Sequence, residues 1–174
     1  DVVWVPEASS FDAPSAMGFL AARTERVTIA SGILPIYSRT PTLLAMTAAG
    51  VDNLSGGRAM LGIGASGPQV IEGFHGVPYT APVARIEEIV EICRKVWRRE
   101  KLEFDGAHYH MPLTKEHGGG GLGKALKIIN RPVRERIPIA IAALGPRSVR
   151  FAAAQAVAGG QARHGDAQVV ANGA

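Results

Sequence analysis

Apolar positions along this chain fall into two kinds of run. Short continuous stretches, Val2 to Val5, Val27 to Ile33, Ala59 to Ile63 and Pro138 to Ala142, read as strands covered on both faces. Longer stretches carry apolar residues at steps of three and four, the spacing of a helix with one buried face. Asp12 is placed to cap a helix from Ala13 to Ala22, with Pro14 in the first turn, where its missing N–H costs nothing. Thr40 before Pro41 starts a second helix that runs to about Leu54, and Gly56-Gly57 stops it. Thr80, followed by Ala81-Pro82, opens the longest helix, whose face is Val83, Ile86, Ile89, Val90, Cys93, Val96 and Trp97. A fourth spans Arg147 to Val157. Leu102–Phe104 and Tyr109–Met111, joined through Asp105-Gly106, predict a small hairpin, and Lys115 to Lys124 a loop with a flexible Gly118–Gly121 tract. The hairpin and glycine-rich stretch form an insertion at about 101–130.

Strand, loop and helix thus repeat four times, the pattern of an α/β protein with a parallel sheet. Right-handed crossovers bring every loop that follows a strand to one edge of the sheet, where ligands of such folds bind. Four strands suit an open sheet as well as part of a barrel.

Composition narrows the function classes. The 174 residues are 47% hydrophobic and 20% charged, enough for one core, placed at 1–157. Net charge is +4, from 19 basic and 15 acidic residues, and the basic residues form no block interleaved with aromatics, which argues against nucleic acid. The single Cys93, at an apolar helical position, reads as a buried thiol in a reducing compartment. No apolar run is long enough for a membrane span and no signal-peptide pattern opens the chain, so the expectation is a cytoplasmic protein without membrane partners. Asp1-Val2-Val3 begins inside a strand pattern, as if something precedes it, and 158–174, rich in Ala, Gly and Gln, is expected to lack packed structure.

Four stretches invite a chemical reading. Gly62-Ile63-Gly64-Ala65-Ser66-Gly67 has the letters of a dinucleotide fingerprint but no acidic residue closing a following strand, and Pro68 follows the last glycine. It reads better as a tight loop whose Ser66 and Gly67 amides face a ligand, with Gln69 as an amide donor. Ala142-Ala143-Leu144-Gly145-Pro146 runs from a strand into a helix start, where free N–H groups can hold a phosphate and Arg147 neutralise it. His108 and His110 share one strand face, but with His75 and His117 in separate loops no third ligand is evident, and no metal is expected. The basic group Lys124, Lys127, Arg131, Arg134 and Arg136 reads as solvated surface. By themselves these residues define an α/β domain with two anion-holding loops.

The runs Val2-Val3-Trp4-Val5-Pro6-Glu7, Ala21-Ala22-Arg23-Thr24-Glu25-Arg26-Val27, Ser31-Gly32-Ile33-Leu34-Pro35 and Leu54-Ser55-Gly56-Gly57-Arg58 resemble luciferase-like monooxygenases. The stretch Gly64 to Tyr79 is similar to the branch that uses coenzyme F420, a deazaflavin. The resemblance covers about residues 1 to 157. It implies a partial (β/α)₈ barrel, strands two to five with their helices. It also implies, for a full-length parent, an oxidoreductase passing hydride between coenzyme F420 and a small-molecule substrate, with homo-oligomers an option. An FMN-dependent monooxygenase is the alternative enzyme, and a catalytically inert fragment the alternative of another class.

The resemblance places Glu7 and Ala8 at a strand end where relatives carry an acidic residue and often a histidine. Ala8 leaves the histidine's role vacant, or to Glu7 or a residue outside this chain. Gly32-Ile33, beside Leu34, matches a cis-peptide bulge behind the deazaflavin ring. Ser66, Gly67, Pro68 and Gln69 match a cofactor-lining loop, and Ala142, Ala143, Gly145 and Pro146 the loop that contacts the cofactor phosphate.

Overall fold

Six strands pair in parallel into one sheet in the computed structural model, which describes residues 1–157 and 169–170. They are β1 (Val2–Val5), β2 (Thr28–Ser31), β3 (Leu34–Pro35), β4 (Ala59–Gly64), β7 (Ile139–Ala142) and β8 (Val169–Val170). The helices are α1 (Ala13–Arg23), α2 (Pro41–Ser55), α3 (Pro68–Gly73), α4 (Pro82–Trp97) and α5 (Pro146–Val157), and β5 (Phe104–Asp105) with β6 (His110–Met111) makes an antiparallel hairpin. The sheet order is β1, β2, β4, β7, β8, with β3 also on β4. The four strands expected from the apolar runs are therefore neighbours in chain order. Val169–Val170 adds a fifth β/α step for which the sequence reading had no strand, and the rest of the expected unstructured 158–174 lies outside the described residues.

Alternation along the strands separates two faces. Val5, Ile29, Leu61, Ile63, Ile139 and Ile141 share a core with Met17, Leu44, Ile89 and Trp97 of the helices. Ala30, Met60 and Ala140, with Trp4 against them, form a separate cluster made of strand residues alone. The helices thus cover one face, as in the wall of a (β/α)₈ barrel, whose other face is the lumen.

Helix ends follow their local chemistry. Asp12 accepts from the Ser15 amide at 3.0 Å and Thr40 from the Leu43 amide at 3.3 Å. Gly56, at φ 65°, ends α2 in the left-handed conformation. Thr80 does not cap α4: Ala81 precedes Pro82 with no side-chain cap, and the Thr80 carbonyl instead accepts from the Tyr37 hydroxyl at 2.7 Å and from Arg85 Nε at 3.0 Å.

Two arginines tie the edge where the strands begin. Arg58 donates to the carbonyls of Ser55, Val27 and Thr24 at 2.7, 2.8 and 2.7 Å, to Ala21 at 3.2 Å and to the Thr24 hydroxyl at 3.0 Å. Arg134 donates through Nε to Asp52 Oδ2 at 3.1 Å and through Nη2 to the Ala59 carbonyl at 2.7 Å, while Asp52, fully buried, accepts from the Ala59 amide at 3.1 Å. Arg134 therefore leaves the solvated basic group in which composition had placed it.

Candidate functional site

Because the strands are parallel, the C-terminal ends of β1, β3, β4 and β7 open on one edge. Between β2 and β3 the register on β4 changes: Ile29 pairs with Ala59, an offset of 30, and Leu34 with Ile63, an offset of 29. One extra residue is accommodated as a bulge at Gly32-Ile33, and that peptide is cis, as the resemblance implied.

Glycine lets neighbouring strands close over the bulge. A Cβ on Gly64 would lie 2.9 Å from Ala142 Cβ and 3.2 Å from Ile33 Cδ1, so only glycine lets Ile33 and Ala142 both pack against β4 at this point. A Cβ on Gly32 would lie 3.2 Å from Trp4 Cβ. Trp4, Gly32, Ile33, Gly64 and Ala142 thus form one continuous patch. Trp4 was not among the sequence candidates; its signal was the alternation that puts it on the helix-free face.

Several expected site residues sit otherwise. Leu34 is 0% and Ala143 1% exposed, so their side chains serve the core. Pro68 and Gln69 lie in the first turn of α3, which opens at Gly67 despite the proline that argued against a helix there, because proline suits a first turn. The dinucleotide reading still fails, since β7, the next strand of the sheet after β4, ends in Ala142 and not in an acid. Ser66 is left-handed at φ 58°, and its carbonyl accepts from the Tyr79 hydroxyl at 3.2 Å. Gln69 Oε1 lies 3.1 Å from where a Gly67 Cβ would stand, folded back over the loop.

At the start of α5, Ser148 Oγ accepts from the Gly145 amide at 3.2 Å and donates to the Gly145 carbonyl at 2.9 Å. Pro146 has no N–H, and Val149 makes the first amide bond of the helix, to Gly145 O at 3.0 Å, so the Arg147 and Ser148 amides head the helix. A Cβ on Gly145 would meet only Ser148 Oγ, at 4.0 Å. Arg147 does not turn toward this helix start. Its guanidinium pairs with Glu87 of α4 at 2.9 Å, and that hydrogen bond raises its pKa further above the usual arginine value.

Glu7 is held on both carboxylate oxygens. Oε2 accepts from Arg39 Nη2 at 2.8 Å and from the Ala13 amide at 3.0 Å, and Oε1 accepts from Arg39 Nη1. Burial works against the Arg39 charge, but the bonds and attraction of Glu7 and Asp12 outweigh it and raise its pKa. Glu7, Ala8 and Arg39 line an open depression of about 440 Å³ together with Phe74 and His75, so the structure brings His75 to the same depression as Ala8. His108 lies outside β6 and shares no strand face with His110. The ring of His117 stacks on His110 instead.

A parallel sheet covered by helices on one face, with small residues converging at its C-terminal strand ends, defines part of a (β/α)₈ barrel. Residues 1–158 match the luciferase-like monooxygenase family model, and the chain belongs to that family. It is 46% identical over 154 residues to a Mycobacterium tuberculosis protein named as a coenzyme F420-dependent oxidoreductase, covering 88% of this chain and 44% of that one. Its fold matches the F420-dependent tetrahydromethanopterin reductase of Methanopyrus kandleri with a TM-score of 0.74 at 21% identity, over 87% of this chain and 45% of that one. It also matches the FMN-bound oxygenating constituent of a Pseudomonas putida diketocamphane monooxygenase with a TM-score of 0.64 at 20% identity, over 87% and 45%. These two structural likenesses show the fold alone. The chain spans less than half the length of the proteins it matches. No helix among the described residues is long and apolar enough to cross a membrane.

Proposed function

We propose that this chain forms one side of the cofactor site of an oxidoreductase that moves hydride between coenzyme F420 and a small organic substrate. The observation that carries the proposal is the packing of Ile33 and Ala142 against the bare backbone of Gly64, which leaves an apolar wall at the strand ends. A tricyclic ring needs such a wall, and the F420-dependent name of the relative at 46% identity favours the deazaflavin. When bound, the deazaflavin carries the hydride.

The chain's own residues bind and orient. Gly32, Ile33, Gly64 and Ala142 present the wall, and Ser66 to Gln69 border it. Gly145 and Pro146 leave room beside the Arg147 and Ser148 amides for a phosphate at the helix start. Glu7, with both oxygens occupied, holds Arg39 and the start of α1, a positioning role that replaces the proton transfer expected of it. His75 supplies an imidazole on the depression beside Ala8 and is the residue we place at proton transfer.

Titration of F420 and of FMN into a full-length protein carrying this segment, read by fluorescence quenching, tests the proposal. Tighter binding of F420 supports it; equal or tighter binding of FMN overturns it. Gly145→Leu blocks backbone approach at the helix start and weakens F420 binding by about tenfold or more, while His108→Ala leaves it unchanged.

A further inference from the structure

The hairpin insertion gathers donors that the proposed cofactor site does not use. Asp105, His110 and His117 each bring one donor atom within 4.8 Å of the others. His110 Nδ1 lies 2.7 Å from Asp105 Oδ1, and His117 Nδ1 lies 3.1 Å from Thr114 Oγ1. The two imidazoles stack with centroids 3.6 Å apart and planes 2° from parallel. The histidines come from opposite sides of the turn after β6, so folding supplies the third ligand that spacing along the chain did not suggest.

We infer that this cluster is a binding site for a divalent transition-metal ion of the zinc class, held by His110, His117 and Asp105. Thr114, by engaging His117 Nδ1, leaves Nε2 for the ion and fixes the ring, the role that an outer hydrogen-bond partner plays around metal-bound histidine. His110 Nδ1 and Asp105 Oδ1 stand 2.7 Å apart, a hydrogen bond that the ion would replace, opening the pair by about 0.7 Å. In a tetrahedral zinc site donors lie about 3.4 Å apart, so the cluster closes by no more than about 1.4 Å. Lone pairs of parallel rings do not converge, and binding therefore rotates one imidazole out of the stack.

The surroundings favour a cation. Glu91, Glu103, Glu116 and Asp105 line the same open depression, of about 790 Å³, against the single cation Lys95, which pairs with Glu91 at 3.8 Å. Imidazole donors select zinc, copper or nickel over magnesium and calcium. The scaffold is fixed beforehand: the Glu88 carboxylate accepts from the amides of Ala107, His108 and Tyr109 at 2.9, 3.1 and 3.0 Å and so pins the hairpin turn to α4. The bound ion would join that hairpin to the 113–121 loop and leave its fourth position to water.

Tag-free protein is titrated with Co²⁺, followed by its visible absorption, and with Zn²⁺ in competition. The expected result is one site per chain, displaced by Zn²⁺, with affinity lowered at least about tenfold in His110→Ala and in His117→Ala and unchanged in His108→Ala. His117→Gln, on an exposed loop, keeps the test valid if the alanine variant misfolds. Zn²⁺ is also expected to slow proteolysis within the 115–121 segment in the parent and not in His117→Gln. Equal Co²⁺ binding by parent and both histidine variants overturns the inference, as does no binding at all.

Discussion

The hydroxyl oxygen of Ser31 stands 2.8 Å from both the amide nitrogen and the carbonyl oxygen of Gly62, accepting from one and donating to the other. The bulge at Gly32-Ile33 takes the backbone out of register there, and this side chain satisfies the two groups that the ladder leaves behind. Ser31 is fully buried, so no water can replace it. Ser31→Ala is expected to cost about 1–3 kcal/mol, the penalty for buried unsatisfied groups, measured by urea denaturation. A loss below about 0.5 kcal/mol would show that the bulge does not depend on the hydroxyl. Gly62→Ala is expected to cost more, because its Cβ would fall 1.8 Å from the Ser31 carbonyl oxygen.

Removing Arg134 leaves the Asp52 carboxylate buried with only the Ala59 amide. Arg134→Met is expected to cost about 3 kcal/mol, the lower end for breaking a buried pair, because Arg134 itself is 33% exposed. Replacing both partners, Asp52→Leu with Arg134→Met, is expected to recover most of that loss, since no charge is then stranded. A double variant no more stable than the single one would contradict this account.

Asp12 titrates below its ordinary value of 3.8, chiefly because the Ser15 hydroxyl bonds its carboxylate, with the Ser15 amide and Arg39 adding to the effect against a burial penalty. A lowered carboxylate pKa gives stability that is present above 3.8 and is lost as pH falls through the folded value. Asn still caps a helix, so Asp12→Asn isolates the charge. The difference from the parent is expected to be a few tenths to about 1 kcal/mol at neutral pH and to vanish in acid. A difference independent of pH would sink the assignment.

Burial pushes the Cys93 thiol up to about 12, although the charge of Arg94 pulls the other way. The thiol points to the Pro41 carbonyl at 3.8 Å. At neutral pH it is protonated and enclosed, so a thiol reagent is expected to modify it only as fast as the protein unfolds. Modification at the rate of a free cysteine in the folded protein would place Cys93 at the surface.

Much of the fold could be read from the chain because its signals are local. Asp12, Thr40 and Gly56 each act within a few residues, and the apolar strand runs fix the parallel order through right-handed crossover. The side chains of the site depend on contacts far along the sequence. Glu7 is engaged by a residue 32 positions on and Arg147 by one 60 positions back, and neither spacing leaves a mark in the sequence. Leu34 turns its side chain into the core because the bulge shifts the two-residue alternation there, whereas Ala143 simply continues the core alternation of Ile139 and Ile141. Val169–Val170 was too short to stand out from a tail rich in alanine and glycine.

The reach of Arg58 has a consequence for motion. One guanidinium holds the last carbonyls of α1, the residue that leads into β2 and the end of α2, so these segments cannot open one at a time without stranding a charge. In hydrogen exchange the amides of α1 and α2 are therefore expected to lose protection together, as a single cooperative unit, and Arg58→Met to let α1 exchange ahead of α2.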